Sequence, residues 1–208
     1  MEYEIRFYYS KDKYDDFVFI LNNIEDLKFN GRKYEKTSQY NHPSHEYDFY
    51  KKDIDGRFRI RKTVGETNAL CKVSWKRRLN DTYSSKINSE EEVELNIDFN
   101  EYDNLIYLLE NVLHLEEIEC YERYRTTFIN DEIEISLDEY PFGLALEIEA
   151  KTNYNVEEVI DKYVKLLNLN YEESYRLSWD DKYEELCKEQ GIDKSNKVLF
   201  GNTMPVLK

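Results

Sequence analysis

Several segments of this chain carry charges of one sign at positions two or four residues apart. The acidic segments contain Glu2 and Glu4, Glu92 and Glu94, and Glu147 and Glu149; the basic ones contain Arg59 and Arg61, Lys72 and Lys76, and Arg123 and Arg125. In a β-strand such positions lie on one face, so each segment would have a charged face and an apolar face. Grouped carboxylates suit Mg²⁺ or Mn²⁺, whereas arginines and lysines suit phosphate oxygens.

Two arrangements of these charged faces are compatible with the pattern, which is clearest in the segment EYEIRFYY at residues 2–9. The faces could look into water, where opposite charges on neighbouring strands stabilise a sheet by roughly 0.2 to 1 kcal/mol per pair. Alternatively, the sheet could close with the charged faces inward. Such an interior would have to be wet and to hold a polyanion with cations, because burying unpaired charges costs too much free energy.

Amphipathic stretches between the charged segments predict the elements that position them. Apolar residues at spacings of three and four predict a helix over residues 14–27, directly after a first strand at residues 2–9. A polar loop around residues 41–45 precedes two strands joined by a tight turn at Asp55-Gly56. Further helices are predicted over residues 101–115, 156–167 and 172–189, and a meander of three strands over residues 119–150. The helices would cover the apolar face of one antiparallel sheet.

Composition and charge restrict the classes of protein to which the chain can belong. Its 208 residues favour one domain, and 29 Lys and Arg against 44 Asp and Glu give a net charge of -15. This charge disfavours non-specific binding to nucleic acid or to an anionic membrane. The chain has neither a membrane-spanning apolar run nor a signal peptide, so we expect a cytoplasmic protein. Three widely separated cysteines argue against a disulfide framework.

The ordered set of charged segments resembles the CYTH domain of the triphosphate tunnel metalloenzyme superfamily. This superfamily includes class IV adenylate cyclases, thiamine triphosphatases and inorganic tripolyphosphatases. Glu2, Glu4 and Arg6 match its E-x-E-x-K strand, and Arg59 and Arg61 match its R-x-R strand. Lys72 or Lys76 matches its lysine-bearing strand. The residues that match its later strands are Arg123, Arg125, Asp138, Gly143, Glu147 and Glu149. ESYRLSWDDKYEEL also resembles a helix near the family's C-terminus, so the resemblance extends over roughly residues 1–187.

The resemblance implies an α+β fold: a closed eight-stranded antiparallel β-barrel with helices on its outside. It would comprise residues 1–190, followed by a C-terminal tail at residues 191–208. The implied ligands of Mg²⁺ or Mn²⁺ are Glu2, Glu4, Asp138, Glu147 and Glu149. The implied triphosphate-binding residues are Arg6, Arg59, Arg61, Lys72, Lys76, Arg123 and Arg125.

The resemblance further implies metal-dependent hydrolysis of inorganic tripolyphosphate or of a small organic or nucleoside triphosphate, with Glu2, Glu4 and Arg6 as catalytic residues. A class IV type of adenylate cyclase, a non-catalytic triphosphate-binding module, a 5'-triphosphate RNA end as substrate, and a homodimer stay open. Arg6 departs from the family's lysine. Because a guanidinium is effectively never deprotonated, Arg6 is predicted to position the substrate and not to act as a base.

Overall fold

The computed structural model describes residues 2–49, 56–78, 88–151 and 153–208, except the side chains of Glu2, Arg78, Asn88 and Ser89. Its strands are β1 (Glu2–Tyr9), β2 (Lys28–Asn41), β3 (Gly56–Val64), β4 (Ala69–Arg78), β5 (Asn88–Ile97), β6 (Glu116–Ile129), β7 (Ile133–Tyr140), β8 (Gly143–Ala150) and β9 (Lys197–Val198). Its α-helices are α1 (Tyr14–Asn22), α2 (Tyr102–Tyr107), α3 (Val156–Leu166) and α4 (Trp179–Gln190). None of the helices in this part of the chain is long and apolar enough to cross a membrane.

Eight strands form one curled antiparallel sheet in the order β2-β3-β4-β5-β1-β8-β7-β6, and β2 also pairs with β6. The pairing between β1 and β5 is short and joins only Glu2 to Glu90, Tyr3 to Ser89 and Glu4 to Asn88. Beyond these pairs, Glu91–Ile97 of β5 has no partner on the β1 side among the described residues. The predicted eight-stranded antiparallel sheet with outer helices is therefore confirmed. The predicted closed barrel is wrong: the sheet is an open half-barrel with its opening between β1 and β5, which only three residue pairs join.

The apolar face of the sheet is its outer face. Tyr3, Ile5 and Phe7 of β1 are buried in a core that includes Phe17 of α1 and Ile160 of α3. The alternate residues of β1 therefore point to the concave side. Burial of aromatic and aliphatic side chains under the helices is what forces the charged faces inward, since each fully buried side chain of this kind contributes about 1.5–3 kcal/mol.

A second core joins α4 to the other end of the sheet. The helix begins at Trp179 because Ser178 and Asp181 form a capping box, and it ends at Gln190, before Gly191, whose positive φ of 66° suits glycine. Residues 191–208, which the sequence suggests to be a tail, pack on this end. Val198 of β9 is fully buried, and the Leu207 amide donates to the Phe142 carbonyl.

The region between the first helix and β3 differs from its prediction. The helix α1 ends at Asn22 and not at Leu27, and the 14-residue strand β2 follows where no strand is predicted. Residues 47–49 of the predicted strand before the Asp55-Gly56 turn are not in a strand, and residues 50–55 lie outside the described part. The predicted turn at Asn130 is confirmed, since its side-chain oxygen accepts from the Glu132 and Ile133 amides.

Candidate functional site

The concave side of the sheet encloses a strongly charged cavity of about 260 Å³. Ten of the residues predicted to form a site line it: Glu4, Arg6, Arg59, Arg61, Lys72, Lys76, Arg123, Arg125, Glu147 and Glu149. Residues not included in that prediction also line it, namely Arg57, Glu90, Glu92, Glu94, Tyr121, Glu134, Tyr140, Ser178 and Trp179. The Glu2 side chain lies outside the described part. The charged faces of separate strands thus share one interior.

Three carboxylates form a row across neighbouring strands of the cavity wall. Glu4 of β1 lies opposite Glu149 of β8, which lies opposite Glu134 of β7. Like charges at directly opposite positions are destabilising unless a cation lies nearby. Oxygen donors of this kind are those that Mg²⁺ and Mn²⁺ prefer, so the donor set fits such an ion. Among the described residues, no three acidic, histidine or cysteine side chains converge on one point.

Arg6 bridges two of the carboxylates on the β1 and β8 side. Its Nε donates to Glu147 at 2.7 Å and its Nη2 to Glu4 at 2.8 Å, while Nη1 donates to the Leu177 carbonyl at 3.3 Å. Burial lowers the pKa of Arg6, but Glu147 and Glu4 outweigh it and hold that pKa well above its usual value. Arg6 is consequently a fixed positive charge between carboxylates, as expected of a residue that cannot serve as a base.

The two arginines of β6 are held by a buried aspartate. Asp138 of β7 lies opposite Arg125, whose Nε and Nη2 donate to its two oxygens at 2.6 and 2.5 Å. The Nη1 atom of Arg123 donates to the same carboxylate at 2.6 Å. Asp138 is completely buried behind these guanidinium groups, so the arginines separate its carboxylate from the cavity.

Arg59 of β3 has far fewer compensating charges than the arginines of β6. Arg59 is only 9% exposed, and its hydrogen bond is a long one, 3.5 Å, to the amide oxygen of Gln39. No ion pair of Arg59 with a carboxylate occurs in the described part of the chain. Burial and the nearby Arg57 and Arg61 lower its pKa, although Tyr121 and Asp180 partly oppose this. A buried cation of this kind is costly unless an anion enters the cavity.

The remaining predicted cations and an aromatic cluster complete the walls. Lys72 pairs with Glu94 at 2.6 Å and Lys76 with Glu90 at 2.8 Å, so both lysines already have acidic partners on β5. At the α4 end, Trp179 lies 4.2 Å from the Tyr121 ring and is stacked on Tyr140 at 6.0 Å. The buried Trp179 Nε1 has no hydrogen-bond partner in the residues that the structure describes. The cavity therefore combines acidic, basic and aromatic walls.

The buried carboxylates should make the stability of the protein sensitive to acid. Burial alone would raise the pKa of Glu35 and Glu147, but their arginine neighbours hold both values well below the ordinary 4.5. These folded-state pKa values lie below the unfolded ones, so the stabilisation is complete above about pH 5 and is lost as the pH falls further. Urea denaturation should show a steep fall of the midpoint below about pH 4.

The matched measurement uses the Glu147→Gln variant. It lacks one of the two depressed carboxylates, so its free energy of unfolding should depend less on pH in the acid range than that of the unmodified protein. Equal urea midpoints for the unmodified protein at about pH 6 and pH 3 would contradict this electrostatic description.

Comparison with known proteins finds similarity only among solved structures. No protein-family model and no curated protein matches the chain. The PH1819 protein of Pyrococcus horikoshii is 23% identical, with a TM-score of 0.63 over 91% of this chain and 99% of its own. HpAC1 of Hippeastrum, an adenylyl cyclase candidate with a dominant triphosphatase activity, is 17% identical, with a TM-score of 0.63 over 93% and 98%. An adenylate cyclase candidate of Vibrio parahaemolyticus is 18% identical, with a TM-score of 0.61 over 86% and 97%. This chain therefore has the fold of these proteins, as its resemblance to the CYTH domain predicts.

Proposed function

We propose that this chain is a CYTH-like triphosphatase that hydrolyses inorganic tripolyphosphate with the help of a divalent cation. The observation that carries the proposal is Arg59, a buried guanidinium without a carboxylate partner in the described part of the chain, inside a cavity with several other arginines. An anion with several negative charges would compensate it. The acidic row on the opposite wall would accept the cation that such an anion carries.

The arginines and the carboxylates have separate parts in this proposal. Arg59, Arg61, Arg123 and Arg125 bind the phosphate oxygens, with Lys72 and Lys76 at the β4 wall. Glu4, Glu134 and Glu149 would hold the divalent cation together with Glu2. Glu147, which the resemblance also implies as a ligand, would not, because its Oε1 atom accepts from Arg6 and its Oε2 atom from Arg125. Asp138, expected from the resemblance to be a cation ligand, instead orients the β6 arginines, because both of its oxygens accept hydrogen bonds from them.

Hydrolysis then requires positioning and charge neutralisation more than covalent chemistry. Water attacks the terminal phosphorus, the bond from that phosphorus to the bridging oxygen breaks, and pyrophosphate leaves with the bridging oxygen. The proton of the water passes to a phosphate product or to solvent. The arginines fix the phosphate chain and stabilise charge on the leaving oxygen. When bound, the divalent cation supplies further charge neutralisation and polarises a phosphoryl oxygen. Arg6 orients Glu4 and Glu147 and takes no proton from water.

The size and walls of the cavity favour the inorganic substrate over a nucleotide. Its volume of about 260 Å³ is below the roughly 300–1,000 Å³ of sites that enclose drug-sized ligands. Tyr121, Tyr140 and Trp179 pack on one another, so their faces leave no slot in which a purine would stack. A nucleoside would have to lie outside the cavity.

A turnover assay tests the proposal. The protein is incubated with tripolyphosphate, thiamine triphosphate or ATP and with Mg²⁺ or Mn²⁺, and phosphate, pyrophosphate and cyclic AMP are measured. We expect phosphate release to be fastest from tripolyphosphate and to stop when the cation is chelated. Cyclic AMP formation from ATP would establish the cyclase instead. Stabilisation by tripolyphosphate without turnover of any substrate would establish a binding module.

Tyr121 provides a spectroscopic report on anion binding. Burial raises its pKa, but Arg59, Arg61 and Arg123 outweigh this and lower the pKa to about 8. Tripolyphosphate added without metal would offset the arginine charges, so the pKa of Tyr121 should rise. An ultraviolet difference titration of the protein and of the Tyr121→Phe variant would measure the change. A phenol titration near pH 8 that tripolyphosphate leaves unchanged would contradict binding at these arginines.

A further inference from the structure

We infer that Glu35, on the unpredicted strand β2, is a positioning residue that holds two phosphate-binding arginines in their working orientation. This inference rests on the proposed function. Glu35 itself is only 7% exposed and is not among the residues that line the cavity. It can therefore act on a bound triphosphate only through the side chains that it contacts.

Glu35 contacts arginines of two different strands. It lies opposite Arg123 of β6, and its Oε2 atom is 2.7 Å from both Nε and Nη2 of that guanidinium. The Nε atom of Arg61 on β3 is 3.7 Å from the same oxygen. The other oxygen of Glu35 accepts from the Thr63 hydroxyl at 3.3 Å, which fixes the orientation of the carboxylate.

Asp138 holds the same Arg123 guanidinium from its other side. Its oxygen accepts from Nη1 at 2.6 Å, and the Tyr140 hydroxyl lies 3.2 Å from that nitrogen. Glu35 and Asp138 belong to strands on either side of β6 and together engage all three nitrogens of the guanidinium. With Glu35 removed, Arg123 would retain only the Nη1 contacts and could rotate about them. Arg61 would lose its ion pair with Glu35.

The role of this arrangement is more readily explained by catalysis than by stability. A buried ion pair is a weak source of stability, because the cost of desolvation offsets much of the Coulomb attraction. A fixed guanidinium, in contrast, meets a developing phosphate charge without reorganising, and misplacing such a group by about 1 Å can lower a rate about a hundredfold. Glu35 supplies this fixation at a distance from the substrate.

The test separates the charge of Glu35 from its geometry. Glu35→Gln keeps the shape but removes the charge, whereas Glu35→Asp keeps the charge but is one methylene too short to reach Arg123. We expect both variants to lower kcat for tripolyphosphate by about ten- to a hundredfold. Both variants should also bind tripolyphosphate more weakly in calorimetry without metal, because Arg123 and Arg61 are no longer held in position. A purely structural role would lower the melting temperature and leave kcat of the folded protein unchanged.

Two further variants keep the inference falsifiable. Thr63→Val removes a hydrogen bond to Glu35 and keeps both charges, so it should lower kcat slightly even if the Glu35 variants do not fold. Glu139→Gln is the matched control, since Glu139 pairs with Arg32, which is substantially exposed, and its kcat should not change. A normal kcat in folded Glu35→Gln would overturn the role of Glu35. If Glu35→Gln does not fold, a normal kcat in Thr63→Val would overturn it. No turnover by the unmodified protein would overturn the proposed function as well.

Discussion

Replacing Arg59 with methionine is expected to weaken tripolyphosphate binding strongly and to raise the melting temperature. The two effects have opposite signs because Arg59 is buried without a carboxylate partner in the described part of the chain. A hydrogen bond between charged groups contributes about 1.5–3 kcal/mol, so the dissociation constant should rise about ten- to a hundredfold. Removing the buried charge should increase the free energy of unfolding, and each kcal/mol of this increase should raise the melting temperature by about 2–4 °C.

The control for this variant is Arg77→Met. Arg77 is on the same sheet but pairs with Glu91 at 2.6 Å, and both side chains are more than 40% exposed. Exposed pairs contribute little, about 0–1 kcal/mol, so neither binding nor melting should change appreciably. Calorimetry without metal and thermal denaturation measure both quantities. An Arg59→Met protein that binds tripolyphosphate normally would refute the assignment of Arg59 to phosphate binding.

Neutralising the acidic row should have the largest effect on turnover. In Glu149→Gln and in Glu4→Gln, a carboxylate of the proposed cation site becomes an amide of the same shape. We expect kcat to fall about a thousandfold, because cation stabilisation of phosphoryl charge contributes several kcal/mol. The variants should stay folded, since less like-charge repulsion remains in the row. Phosphate release and circular dichroism measure the two outcomes.

Metal-free binding distinguishes a cation ligand from a phosphate ligand. Each of these variants removes a negative charge from the cavity, so tripolyphosphate should bind as tightly as before or more tightly when no metal is present. Weaker metal-free binding would indicate that the carboxylates organise the arginines instead. Full activity with Mg²⁺ and Mn²⁺ in both variants would refute the acidic row as the cation site.

The alternation of residues predicts the faces of the strands but not the direction in which each face points. The segment EYEIRFYY separates Glu4 and Arg6 from Ile5 and Phe7, and either set could face water. The like-charged faces on later strands, taken together with the resemblance to the CYTH domain, predicted the inward orientation. The structure confirms it, because the helices α1 and α3 cover Ile5 and Phe7.

The strand β2 could not be predicted because its sequence lacks an apolar alternation. Lys33, Glu35, Thr37 and Gln39 alternate with a second set that is itself largely polar, so no face has the usual signal. The contact of Glu35 with Arg123 joins residues 88 positions apart and follows only from the pairing of β2 with β6. The resemblance predicts Asp138 to be a cation ligand, but only the register of β6 and β7 places it beneath the arginines.

The location of bound substrate can be measured in a crystal structure of the protein with tripolyphosphate and Mn²⁺. We expect the phosphates inside the curled sheet, in contact with Arg59 and Arg123. An anomalous manganese signal should lie beside Glu4 and Glu149. Tripolyphosphate bound on the outer surface, or an interior without phosphate in crystals of a protein that hydrolyses it, would contradict the assignment of the charged interior as the triphosphate site.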